Sequence, residues 1–115
     1  MLPGMHLTPI GEGVVLLEPN EGFDPGDPGR LVEPLLERLQ GLSARRLLYD
    51  LQNMPVIDQV YFNWLVHAQR ACRIAGIDLI VVNMRPTAAY GLAITLDQPP
   101  PFRCALDVDT ARSMP

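Results

Sequence analysis

Two short apolar runs joined through one long helical stretch constrain this chain more than any other feature. RRLLYDL, residues 45–51, and IDLIVVN, residues 77–83, are compact and do not alternate, the pattern of strands covered on both faces. Between them Asp58 stands where an N-cap belongs, and a helical pattern follows it as far as Gly76. Two strands linked through a single helix need a crossover, which is right-handed and makes the pair parallel. A βαβ unit is therefore predicted, with its first strand central in a sheet.

The flanking segments extend that unit. LTPIGEGVVLLE, residues 7–18, reads as a hairpin around Gly11 and Gly13, and Pro9 confines its first run to an edge or a strand start. PNEGFDPGDPG, residues 19–29, carries turn chemistry without periodicity. From Asp27 onward Leu31, Leu35 and Leu39, flanked by Val32 and Leu36, recur at helical spacing; Gly41 supplies a stop, and Pro34 predicts a late start or a kink. Pro86 opens a further helix to about Leu96, weakened by Gly91, and QPPP breaks it. PFRCALD, residues 101–107, offers a last short strand, and Val108 to Ser113 a final helical turn or two. The expected fold class is α/β: a single domain over residues 1–115 with a mixed, mainly parallel sheet, an N-terminal β-hairpin and about four helices.

Composition narrows the chemistry. The 115 residues suit one core, and 48% apolar against 19% charged residues excludes a disordered chain. The longest apolar runs, Val14 to Leu17 and Leu79 to Val82, fall far short of the roughly 20 residues that span a bilayer. The first residues, with no basic start and no long apolar stretch, do not read as a secretory signal, so a cytoplasmic address and no membrane insertion are expected. All nine basic residues are Arg, which removes Schiff-base, P-loop and receiver-type lysine chemistry. A net charge of -4 argues against a nucleic-acid partner. Cys72 and Cys104 lack any metal-ligand or redox spacing, so buried apolar thiols are expected, with no metal and no cofactor.

The helix after Asp58 has two apolar stripes. Tyr61, Leu65, Ala68, Cys72 and Ala75, joined by Phe62, form the stripe that faces the core. Val60, Trp64, His67, Ala71 and Ile74 form a second, with Asn63 and Arg70 beyond it. That second stripe needs cover from neighbouring helices of the same domain, from a protein partner or from a second copy in a homodimer. Trp64 is the most specific residue for such an interface. Coordinates that bury Trp64 and Ile74 within the chain would remove the docking site from that face.

The residues YDLQNMPVIDQ, 49–59, resemble the strand, loop and helix start of the STAS domain, the sulfate transporter and anti-sigma factor antagonist family. AGIDLIVVNMRP at 75–86 and the closing ALD at 105–107 match in order and spacing, so the resemblance spans about residues 6–113. It implies a non-enzymatic protein-binding module of the stand-alone antagonist or stressosome-scaffold type, engaged in partner switching with a kinase-type anti-sigma factor or related STAS proteins. It also implies that the phosphorylatable hydroxyl of the family falls at Gln59, which cannot accept a phosphoryl group. The implied contact surface is Met54, Pro55, Val56, Asp58, Gln59, Asn63, Trp64 and His67. The partner is then bound constitutively, or control lies elsewhere. Thr87, after Pro86 at another helix start, has a phosphate-compatible environment and is the alternative phosphosite.

Two other classes compete. A small-ligand module, holding a nucleotide or lipid or serving as a soluble transporter-associated subunit, would lack any phosphate loop here. A hydrolase would rest on Asp50 and Asp58 with His67, yet His67 lies about 13 Å along the helix axis from Asp58, too far for a hydrogen bond. Asp58 reads better as a helix cap and Asp50 as a strand-end residue bonding loop amides.

Overall fold

The computed structural model describes residues 4–115. Its elements are β1 (Met5–Gly11), β2 (Val14–Pro19), α1 (Pro28–Gly41), β3 (Arg46–Asp50), α2 (Gln59–Ile74), β4 (Asp78–Val82), α3 (Pro86–Thr95), β5 (Arg103–Ala105) and α4 (Val108–Arg112). The five strands form one sheet in the order β1-β2-β3-β4-β5. β1 runs antiparallel to β2, and the β2–β3, β3–β4 and β4–β5 pairs are parallel. The unalternating run at β3 is thus central, and the proline-bearing β1 is an edge. The hairpin turn is made by Glu12 and Gly13, both at positive φ, 57° and 75°. Gly13 is needed there twice over, because a Cβ would also stand 2.9 Å from Cγ of Arg45.

Strand alternation divides the sheet into two faces. Val15, Leu17, Leu47, Tyr49, Leu79 and Val81 point to the face covered by α1 and α2, where Leu31, Leu35, Leu39, Leu65 and Cys72 complete the main core. Ala88 and Leu92 of α3 join the same core. Val14, Leu48, Ile80 and Val82 point the other way and close a smaller core against Ala111 of α4. Both faces of β3 and β4 are therefore buried along their middles, which is why Leu47 to Tyr49 and Leu79 to Val82 run without polar alternation, while Arg46, Asp50 and Asp78 stand at the strand ends.

Four expectations are corrected. α1 runs through the exposed Pro34 rather than starting after it, since the ring removes only the helical donor that would reach the Arg30 carbonyl. Gly41 is the last helical residue and not the left-handed stop; Ser43 takes that conformation, with φ 54°. The last strand shrinks from residues 101–107 to Arg103–Ala105, because the prolines before it supply no donors and Asp107 turns to cap α4 by accepting from the Thr110 amide at 2.8 Å. Of the two thiols, Cys72 is buried as expected, but Cys104 is exposed on the edge strand β5. No helix among the described residues is long and apolar enough to cross a membrane.

Candidate functional surface

The surface is built at the ends of β3 and β4, where the chain leaves the sheet. Asp50 closes β3, and its Oδ1 accepts from the Gln52 amide at 2.8 Å and from Nδ2 of Asn83 at 3.2 Å. Asn83 follows β4 at φ 58°, so one carboxylate ties the two exit loops together. Ile57 then anchors the β3–α2 loop in the core. Asp58 adopts an extended backbone and its carboxylate accepts from the Tyr61 amide at 2.8 Å, the hydrogen bond that starts α2. Asp58→Ala is expected to lower stability by about 1 kcal/mol in a urea titration.

A second tether reaches this loop from α3. Thr87 donates its hydroxyl to the Pro55 carbonyl at 2.6 Å, holding the segment Met54–Val56 against the first turn of that helix. On α3 the residues at i+3 and i+7 from Thr87 are Tyr90 and Ile94, so all three share one face. Tyr90 is 69% and Ile94 66% exposed, and Val56 beside the tether is exposed as well. α3 carries no charged residue in its ten positions. A helix apolar all round is normally covered on every side, and here only Ala88 and Leu92 are buried. Between α3 and the following segment lies a largely apolar groove of about 390 Å³ lined by Leu92, Ala93, Leu96, Pro99 and Cys104.

The outer face of α2 carries a polar row. Gln59 donates Nε2 to Oδ1 of Asn63 at 3.0 Å, and Nδ1 of His67 lies 3.0 Å from the Asn63 carbonyl. Asp58, Gln59, Asn63, His67, Pro55 and Val56 are exposed, and Met54 is half-buried. Trp64 is not part of this surface: it is fully buried, at 0% exposure. Its Nε1 donates to the Tyr49 hydroxyl at 2.9 Å, that hydroxyl is 2.7 Å from the Tyr61 hydroxyl, and the Phe23 ring packs edge-on against both Tyr61 and Trp64. The second stripe therefore splits along its length, with Trp64 in the core while Ile74, at 90% exposure, faces outward. The cause is the width of the apolar arc. At 100° per residue Trp64 lies only about 60° from Tyr61, inside the arc that a sheet and a neighbouring helix cover together. α2 packs on α1 as well as on β4.

Burial tunes the hydroxyls around Trp64. It pushes the Tyr61 phenol up to about 12 and raises Tyr49 too, where the neighbouring Tyr61 adds to the effect; the buried Cys72 thiol is likewise pushed up to about 12. The folded state thus favours the neutral forms. Their contribution is complete below the ordinary thiol and phenol values of 9.0 and 10.0 and is lost as pH rises towards about 12. Trp64 emission should stay that of a buried indole to about pH 10 and red-shift between there and pH 12, as the fold opens.

The residues of the hydrolase reading are otherwise engaged: Asp50 holds the exit loops, Asp58 caps α2, and the His67 ring lies against a backbone carbonyl. No hydrogen bond joins the three among the described residues. Beside the loop is a cavity of about 540 Å³ lined by Asn20, Phe23, Asn53, Met54 and Tyr61, with no basic side chain in its wall.

Comparisons with known proteins bear on this layout. No protein-family model matches the sequence, and no curated protein matches it. Solved structures do. The Moorella thermoacetica protein RsbS, in a Ser-to-Glu variant, is 18% identical, with 92% of this chain and 91% of that one covered at a TM-score of 0.75. A chain from the stressosome, described as a signal integration and transduction hub, is 16% identical over 91% of this chain and 90% of its own, TM-score 0.74. A candidate anti-sigma factor antagonist from Thermotoga maritima is 16% identical over 94% and 91%, TM-score 0.69. The structure defines a STAS-type fold, the fold of these antagonist and stressosome proteins, across most of the chain.

Proposed function

We propose that this chain is a non-enzymatic protein-docking module of the anti-sigma factor antagonist or stressosome-scaffold kind. The observation that carries the reading is the tether from Thr87 to Pro55, which joins the β3–α2 loop to the uncharged face of α3 as one surface. Pro55, Val56, Tyr90 and Ile94 supply its apolar centre, and Asp58, Gln59, Asn63 and His67 its polar rim. That is the layout of an interface with a desolvated centre and a wet margin. The fold shared with RsbS and the Thermotoga protein supports a partner of the kinase-type anti-sigma class or another STAS protein.

Gln59 stands where the family resemblance puts the switchable hydroxyl, and its amide is bonded to Asn63. Docking at Gln59 is then constitutive, and Thr87 is the residue whose phosphorylation would act on the surface. Its hydroxyl is a donor to a carbonyl, and a phosphate dianion there would be repelled by that oxygen. The test is binding of a kinase-type anti-sigma factor from the same genome, measured by calorimetry. Tyr90→Asp is expected to weaken it at least tenfold, which is about 1.4 kcal/mol, with Thr87→Glu weakening it in the same direction. Ile74→Asp, remote from the tether in the chain, should leave it unchanged. Equal binding by the wild type and Tyr90→Asp would overturn the reading.

The cavity beside Phe23 and Tyr61 favours a second reading, small-ligand binding, since its volume lies in the range of ligand pockets. Native mass spectrometry of the purified protein decides it: a bound small molecule lost on Phe23→Ala supports the reading, and a bare chain mass ends it.

A further inference from the structure

The two edges of the sheet are not alike. β5 has three residues and follows Pro99, Pro100 and Pro101, so its edge is short and poor in donors. β1 has seven residues and, apart from His6, no ionisable side chain. The inner ladder shows which of its backbone groups point away from β2. Met5 stands opposite Pro19, and the Asn20 amide donates to the Gly4 carbonyl at 2.8 Å. Hydrogen-bonded and non-bonded pairs alternate in an antiparallel ladder, so His6 with Glu18 and Thr8 with Leu16 exchange the inner bonds. The N–H and C=O of Met5 and Leu7, and the C=O of Pro9, therefore point away from β2. Pro9 sits where its missing N–H costs the hairpin nothing.

We propose that β1 pairs antiparallel with β1 of a second copy of this chain, across a two-fold axis at Leu7, extending the sheet through both subunits. In that register Leu7 and the partner's Leu7 exchange two hydrogen bonds, and each Met5 amide donates to the carbonyl of the partner's Pro9. Pro9 ends the ladder on both sides, and a register centred closer to it would lose donors. A second copy is the fitting occupant because a two-fold makes this donor and acceptor row complementary to itself. Each chain carries a net charge of -4, so two copies repel except where the surface is neutral, and β1 is such a place. Across the new pair His6 faces the partner's Thr8, with no like charges opposed.

Sedimentation over a range of concentrations tests this, with a species of twice the 12.7 kDa chain mass expected. Leu7→Pro removes an outward N–H and should return the protein to monomer with an unchanged circular dichroism spectrum. A wild type that stays monomeric, or a dimer that Leu7→Pro leaves intact, overturns the proposal. Should Leu7→Pro not fold, cross-linking decides. In a Cys104→Ser background, mixed His6→Cys and Thr8→Cys chains should oxidise to a disulfide dimer, and absence of that dimer overturns the pairing.

Discussion

Trp64→Ala is expected to destabilise the fold by about 3–5 kcal/mol, the usual cost of emptying a buried Trp site. The indole is fully enclosed, with Tyr49 below it, Tyr61 one turn before it and Phe23 over its edge. Those rings come from a central strand, a helix and a loop, so no single one can move in to fill the space without breaking its own packing. The substitution also leaves the Tyr49 hydroxyl with Tyr61 as its remaining hydrogen-bond partner. Trp64→Phe keeps most of the ring contact and loses the donor, and should cost about 1–2 kcal/mol, a neutral hydrogen bond plus a small void. Ile74→Ala, on the same nominal stripe but almost fully exposed, should change stability by no more than about 0.5 kcal/mol. Urea titrations of the three variants give the order directly. A cost below about 1 kcal/mol for Trp64→Ala would mean that the indole is not packed as described.

Much of the fold was legible because its causes are local. β3 and β4 announce themselves as apolar without alternation since both their faces are covered, and the helix between them forces the parallel crossover. Pro9 narrows its run to an edge or a strand start because the middle of a central strand cannot lose that donor, and the fold makes it the edge. Asp50 and Asp58 were assignable as loop and cap residues because each bonds an amide within three positions of itself. What was not legible depends on distant chain. Nothing local says that Phe23, in a loop rich in Pro, Gly and acid, folds back on Trp64, and without that lid and α1 the second stripe reads as a docking face. The surface at Tyr90 and Ile94 did leave a signal, the absence of any charge from residue 86 to residue 95, but its exposure depends on which face of α3 the sheet takes. The tether from Thr87 to Pro55 joins residues 32 apart and has no sequence signature.

The same distance in sequence hides the second large effect, at Arg46. In the sequence Arg46 is half of an Arg pair; in the fold it is the one charged side chain buried among the described residues. Its Nη1 donates to the Ala111 carbonyl at 2.7 Å and the Met114 carbonyl at 2.9 Å, and its Nη2 lies 3.2 Å from Oδ2 of Asp78. A fixed cation thus sits at the C-terminal end of α4, where unpaired carbonyls and the helix dipole favour it. α4 has five residues, too few to hold helical structure by itself, yet it covers Val14, Leu48, Ile80 and Val82. The guanidinium is not an optimised ion pair, since Nε is buried without a partner and Asp78 is shared with Arg103 at 3.0 Å. Its contribution therefore comes from capping the carbonyls of α4 rather than from charge pairing. Arg46→Met keeps an apolar stem and removes the donors, and is expected to cost about 1.5–3 kcal/mol, the range for hydrogen bonds made by a charged group. Arg103→Ala, at the exposed end of the same carboxylate, should cost under about 1 kcal/mol. Asp107→Ala, which removes the cap from the other end of α4, should lower stability in the same direction. Amide exchange separates local from global effects: in Arg46→Met the helical amides of α4 should exchange much faster while those of β3 and β4 slow the label nearly as well as before. If α4 keeps its protection in that variant, the guanidinium is not what holds it on the sheet.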